Sequence, residues 1–331
     1  MISSSFVPSA AVAGSGPAEI AGESRWRGLA AFAVVTALLP AVLPNAWYTD
    51  VAIHIAIQAV NAIALNLLIG FTGQISLGHA GFFGIGAYGA AILTSRFGLS
   101  SSAALAATAA ATGLLAFGLA GPILRLKGHS LAMATLGFGI IVSIVITNEA
   151  AWTGGPDGLA VDDFRVFGLR LAGEATWYWV FAGVLFAAIV LAQNLVDSPA
   201  GRALQALHGS ETAAAIAGID VKAYKTGVFV LAAVIASIMG SLSAHYSGFI
   251  NPGIANFTMS VEVVTMVVLG GMASIWGSVI GAVLLGLLPQ LLAGLEGWDT
   301  VVFGLILGLT VIFMPRGIVP TLAGRFRRAA P

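Results

Sequence analysis

The chain has 331 residues, of which 58% are hydrophobic and only 8% charged, with 14 basic residues balancing 14 acidic ones. An average soluble domain is about 25% charged, so this composition cannot dress a water-exposed surface. It excludes a soluble two-domain protein, and its zero net charge gives no footing for nucleic-acid binding. The absence of cysteine excludes disulfides and thiolate metal sites. With a mean hydropathy of +0.98, the expected fold class is an all-α polytopic membrane protein.

Taken in order, residues 1–24 are rich in Ser, Ala, Gly and Pro and lack a basic n-region before an apolar core. They read as a disordered cytoplasmic tail and not as a signal peptide. A membrane crossing needs about 20 apolar residues, fewer where a helix is short or tilted. Ten such runs follow, at 27–43, 51–70, 79–95, 102–124, 129–148, 176–196, 225–247, 258–271, 274–294 and 299–314. The third has a re-entrant character, and the eighth is short and ends in Gly270-Gly271. The permease domain is thus expected over 25–316, followed by a basic cytoplasmic tail over 317–331.

Charge tests this count, because Lys and Arg favour the cytoplasmic side. With the N-terminus inside, the inner segments hold Arg25, Arg27, Arg125, Lys127, Arg202, Lys222, Lys225, Arg316, Arg325, Arg327 and Arg328. The outer segments hold only Arg96, Arg165 and Arg170. Ten spans place both termini inside. Fusing the eighth and ninth would put the basic tail outside, so they are expected to be separate.

Two connections are long. The outer one, 149–175, contains GGPDG (154–158), a strong turn signal. The inner one, 197–224, reads as two short helices. Ser198 and Pro199 suit the N-cap and first helical positions. Gly209 can end the first helix, Ser210 with Glu211 can start the second, and Gly218 can end it.

The segment NLLIGFTGQISLGHAGFFGIGAYGA (66–90) is apolar yet broken by glycines and by Thr72, Gln74, Ser76 and His79. In lipid such a segment survives only inside protein or beside a cavity. It is therefore expected to sit within the bundle beside a translocation path. A likeness between LLIGFTGQISLG (67–78) and VVLGGMASIWG (267–277) reads either as an internal repeat, a common transporter design, or as two unrelated Gly-broken runs. Glu262 is the one charged residue placed within a span and not at its first position, so it is expected to face the bundle or a cavity. There it would line the path, gate it, or hold neighbouring helices together as a hydrogen-bonded acid. Ser274 belongs to the same candidate lining.

His54, Gln58 and Asn61 share one helix face and serve either a solute or interhelical hydrogen bonds, the latter being the commoner use. His79 has the same two readings, and His245 with Tyr246 reads as an interfacial anchor. The glycines at 84, 86, 89, 277 and 281 serve close helix packing or a flexible path. No phosphate-binding G-x-x-x-x-G-K-[ST] loop is present, so ATP is not expected to bind this chain by that route. No spacing supports catalysis.

Several blocks then point to one family. ETAAAIAG (211–218) resembles the Glu-Ala-Ala…Gly loop of importer permeases driven by ATP-binding-cassette subunits. GFTGQISLGHAGFFGIGAY (70–88), AWTGGPDGL (151–159), GRALQAL (201–207), AAIAGIDVKAYK (214–225) and SVEVVTMVVLGGMASIWGSVIGA (260–282) resemble segments of branched-chain amino-acid importer permeases. They occur in the family order, and the GGPDGL loop is similar to the M-type subunit.

The resemblance implies a subunit of an inner-membrane importer that is not itself an enzyme. Its expected partners are a second related permease, two cytoplasmic ATPases and an extracytoplasmic binding protein, with ATP and magnesium bound by the ATPases and no cofactor in this chain. It implies ATPase coupling through Arg202, Glu211, Ala214, Ala215 and Gly218, so that Glu211→Lys should abolish ATPase association. Gly209-Ser210 departs from the charged residues the family pattern would place before Glu211. A urea or short-amide permease, and a channel or gradient-driven carrier acting alone, are the rival functions.

Overall fold

The computed structural model describes residues 17–42, 45–166 and 169–292, with isolated positions at 304, 308, 317–319 and 321. The chain divides into two compact units, Met1–Pro44 and Asn45–Pro331. The first contains helix α1 (Pro17–Val42). This helix starts before the expected boundary at residue 25. Pro17 suits a first helical position, and Ala18, Glu19, Ala21 and Glu23 are good helix formers.

The second unit is a helical bundle. Its long members are α2 (Ala46–Thr72), α3 (His79–Ser95), α4 (Ser101–Ile123) and α5 (His129–Asn148), followed by α7 (Glu174–Asp197) and α10 (Val221–Ser247). Shorter ones are α6 (Ala150–Thr153), α8 (Pro199–Gly209), α9 (Glu211–Ile216), α11 (Phe257–Gly270) and α12 (Ile275–Leu292). Among the described residues, α2, α4, α5, α7 and α10 are long and apolar enough to cross a membrane. Helices occupy nine of the ten expected spans; of the tenth, 299–314, only positions 304 and 308 are described.

Burial ranks these helices. In α2, 78% of the most apolar window is buried and in α10 61%, against 28% in α4 and α5. So α2 and α10 form the centre, and α4 and α5 present apolar surface outward. Lipid is as apolar as leucine, so close packing has to hold the centre together. The α3–α10 seam shows how: a Cβ on Gly240 would run into the Phe83 carbonyl oxygen, and one on Gly86 into the Ser237 backbone. These glycines, like Gly281 against Met266, serve helix approach.

The contacts sort the connections into two ends. At one end lie 73–78, 124–128, 198–220 and 271–274. Lys127 pairs with Glu211 at 3.3 Å there, and Asn66 bonds to the 271–274 turn. At the other end, strand β1 (Leu159–Ala160) pairs with β4 (Phe249–Ile250), and β2 (Arg165–Val166) with β3 (Leu169–Arg170). Ser101 is tied to 163–165, and Tyr246 donates to Asp50 at 2.5 Å. Among the described residues, these four two-residue strands depart from an otherwise helical fold. His245 is covered by this end: its Nδ1 lies 2.8 Å from the Asp162 carbonyl, and its ring meets Phe164 edge to face. It is a buried packing residue and not the interfacial anchor expected, because the 159–166 segment folds over it.

Two helices begin part-way through the bundle. The His79 ring lies 3.3 Å from Asn61 Oδ1, and Asn61 stands eleven residues before the end of α2, about 16 Å along its axis. Residues 73–78 therefore climb back into the bundle before α3 starts, the re-entrant character expected of the third span. The Leu77 amide donates to Thr135 Oγ1 at 3.0 Å on the way. From the opposite end, residues 251–256 descend along α3, with Ala255 packed on Gly84. Helix α11 then starts where Ala80 N–H donates to Ser260 Oγ at 3.0 Å. Its 14 residues rise about 21 Å, short of the ~30 Å of a bilayer core. α3 and α11 are thus half-depth helices whose N-termini meet.

Candidate functional site

The first site is this meeting of half-depth helices. Thr72, Gln74, Ser76 and His79 are all buried, as polar groups at this depth must be. Thr72 Oγ1 donates to the Leu68 carbonyl at 2.5 Å and accepts from Gln74 Nε2 at 2.8 Å. Gln74 Oε1 is buried with no protein partner. Asn61 also donates to Ile57 O at 3.1 Å, so its bond to His79 fits the structural reading of both residues. His54, on the same face of α2, stays exposed, bonds to the Asp50 carbonyl within its own turn and meets the Tyr246 ring edge to face.

Sequence reasoning missed Asn66. It is buried, and its Nδ2 lies 2.9 Å from Ser274 O, 2.7 Å from Ser278 Oγ and 3.3 Å from Gly271 O. Its Oδ1 accepts from Ala273 N–H at 2.9 Å. One side chain thereby holds the whole turn between α11 and α12, including Ala273, which has a left-handed φ of 58°. Ser274 serves the same turn by accepting Gly277 N–H at 3.0 Å. The available signal was an amide inside an apolar run, which must find partners in lipid.

Glu262 corrects an expectation. It lies on the exposed side of α11 and does not face this chain's interior. Ser260 and Val263 occupy the buried face, so the helical period turns Glu262 outward. Thr258 and Thr265 are on the same exposed side as Glu262. A cavity of about 440 Å³ between α2, α7 and α10 is lined by groups such as Val60, Leu67, Leu231 and Met239. It offers no polar group to orient a charged solute.

The second site is the 198–220 hairpin. Ser198 Oγ accepts Gly201 N–H and Pro199 starts α8. Ser210 Oγ accepts Ala213 N–H to start α9, and Gly218 turns the chain with φ +84°. The helices form where the cap residues are. Ala214 is buried beneath α9, while Ala213, Ala215 and Gly218 are exposed and Ile216 is 83% exposed. Arg202 is exposed and reaches the Asp197 carbonyl at 3.3 Å.

Glu211 is occupied within the chain. One carboxylate oxygen pairs with Lys225 on α10, and the other with Lys127 in the α4–α5 turn at 3.3 Å. Burial pushes its carboxyl up, but the two lysines outweigh this and hold it below the ordinary carboxylate range. Lys225 is itself buried. Both lysines were legible only as inner basic charges, since pairing across 14 residues follows no helical period.

Comparison with known proteins supplies what geometry cannot. The family described as "Branched-chain amino acid transport system / permease component" matches residues 48–315. The high-affinity branched-chain amino acid transport system permease protein LivM of Escherichia coli is 31% identical over 82% of this chain and 69% of its own. BraD of Pseudomonas aeruginosa, a permease protein of the same kind of system, is 28% identical over 79% of this chain and 91% of its own. LivH of Escherichia coli is 26% identical over 79% and 90%. No solved structure matches significantly. The residues matched contain both half-depth helices and the hairpin, and the chain belongs to the family of branched-chain amino acid transport system permease components.

Proposed function

We propose that this chain is the M-type permease subunit of an ATP-driven importer for leucine, isoleucine and valine in a bacterial inner membrane. Higher identity to LivM than to LivH or BraD supports the subunit type. A second related permease completes the pathway, two cytoplasmic ATPases bind ATP and magnesium, and an extracytoplasmic binding protein delivers the substrate. The excess of basic residues supports a cytoplasmic 198–220 end, in an arrangement of ten spans with both termini inside. The β1–β4 end then meets the binding protein.

The observation that carries the reading is a capped helical hairpin with an exposed Ala-Ile tip, at the end where the α2–α3 and α11–α12 connections lie. Pushed by an ATPase, the hairpin bears on the first turn of α10 and through it on α3. Alternating access follows if the half-depth helices shift with that seam. Irregular backbone at membrane depth belongs beside a solute path. Thr72, Gln74, Ser76 and His79 stand at the break, Ser274 at the neighbouring turn, and outward-facing Glu262 looks toward the second permease.

The test is uptake by proteoliposomes holding the complete importer, with labelled leucine and labelled urea offered separately. Leucine accumulation that requires ATP and the binding protein is the expected result. Urea accumulation instead would reassign the substrate. Transport at the full rate by this chain alone would make it a channel or carrier.

A further inference from the structure

The family pattern treats the glutamate of the coupling loop as part of the ATPase contact, yet here that carboxylate is turned inward. Both Glu211 oxygens are engaged, by Lys225 near the start of α10 and by Lys127 in the α4–α5 turn. Lys225 is 5% exposed, and a buried ammonium is costly unless paired. Glu211 supplies the pair. The outer surface of the loop carries no charge from this residue; it presents Ala213, Ala215 and Ile216, the last 83% exposed.

We infer that Glu211 is a positioning residue: with Lys225 and Lys127 it locks the docking helix α9 to α10 and to the α4–α5 turn, while Ile216 and the adjoining alanines make the contact with an apolar groove on the ATPase. The inference rests on the coupling reading above. The linkage is rigid on both sides. Ala214 packs beneath α9, and α10 meets α3 through Gly240 and Gly86 at backbone contact. Displacement of α9 therefore travels through the Glu211–Lys225 pair into α10 and on to the half-depth helix α3. Without the pair, α9 can still be gripped but slips against α10.

The experiment uses the complete importer and reads two quantities, co-purification of the ATPase and leucine taken up per ATP hydrolysed. Ile216→Asp should lose the ATPase. Glu211→Gln and Lys225→Met should keep it, yet lower uptake per ATP by about tenfold, as breaking a partly buried ion pair warrants. The double variant should be no worse than either single one, and Lys225→Arg should retain most of the coupling. Because Lys225 is buried, the half-exposed Glu211→Gln provides the independent arm if Lys225→Met does not fold. Loss of the ATPase with Glu211→Gln, or full coupling in that variant, overturns the inference. So does an ATPase that stays bound to Ile216→Asp. If no ATPase co-purifies with the unmodified chain, the coupling reading itself falls, and this assignment with it.

Discussion

Residues 73–78 and 251–256 solve the same problem from opposite ends of the bundle. Each is a short connection, the second containing a 3-10 turn over Pro252–Ala255, that leads to a helix beginning at mid-depth. The first is tied by polar bonds, from Leu77 to Thr135 and from Gln74 to Thr72. The second is seated on α3 by shape, with Ala255 against Gly84, while Asn251 and Asn256 accept from Gly253 N–H and Met259 N–H within its own turns, and the Ala80 N–H bond goes to Ser260 of the helix that follows. The difference is that the first connection is tied to a neighbouring helix by a side-chain hydrogen bond, whereas the second spends its asparagine side chains on its own turns and meets α3 through the missing side chain of Gly84. The 271–274 turn resembles 73–78 in composition, but it joins α11 to α12 at one end of the bundle, whereas 251–256, like 73–78, leads to a helix that begins part-way through it.

The comparison can be broken most severely at Gly84. A Cβ there would meet Ala255 Cβ at 2.5 Å, so Gly84→Leu should displace 251–256 and cost about 3 kcal/mol by overpacking. Denaturant unfolding in detergent measures this, and an unchanged midpoint would remove the packing argument. Asn66→Ala comes next. It orphans Ala273 N–H and releases the α11–α12 turn, for about 2 kcal/mol, while leaving 73–78 in place. Thr135→Val removes one bond to Leu77 and should cost about 1 kcal/mol. A loss matching that of Gly84→Leu would show that the two segments are not held differently.

The smallest effect concerns pH and separates both segments from the Glu211 clamp. The Glu211 carboxyl is held below its usual range, so its stabilising pairing is fully present above the unfolded-state value and lost only as pH falls through the lowered folded-state value. Leucine uptake per ATP should therefore be flat from about pH 8 to pH 6. A loss of coupling already within that window would mean that the lysines do not hold the carboxylate as described.

Much of this was readable from local pattern. The runs 79–95 and 129–148 coincide with α3 and α5, because glycine, charge and polar boundaries mark their ends. The hairpin helices begin at Ser198 and Ser210, whose side chains cap locally. The half-depth start of α11 was not readable, since an apolar run records length but not the level at which it begins. Asn66 and Ser274 are 208 residues apart, and no spacing rule joins them. Glu262 was expected to face the bundle or a cavity because a charge in a span needs shelter. Its actual side follows from the buried stripe of α11, which sequence alone leaves ambiguous in a helix apolar on most faces.

The central claim is that the 198–220 hairpin is cytoplasmic and gripped by an ATPase. Because the chain contains no cysteine, Ile216→Cys creates a single labelling site for a membrane-impermeant maleimide. The account predicts labelling in inside-out vesicles stripped of the ATPase, protection when the ATPase is restored, and no labelling in intact cells. Labelling from outside intact cells, or equal labelling with and without the ATPase, would contradict it.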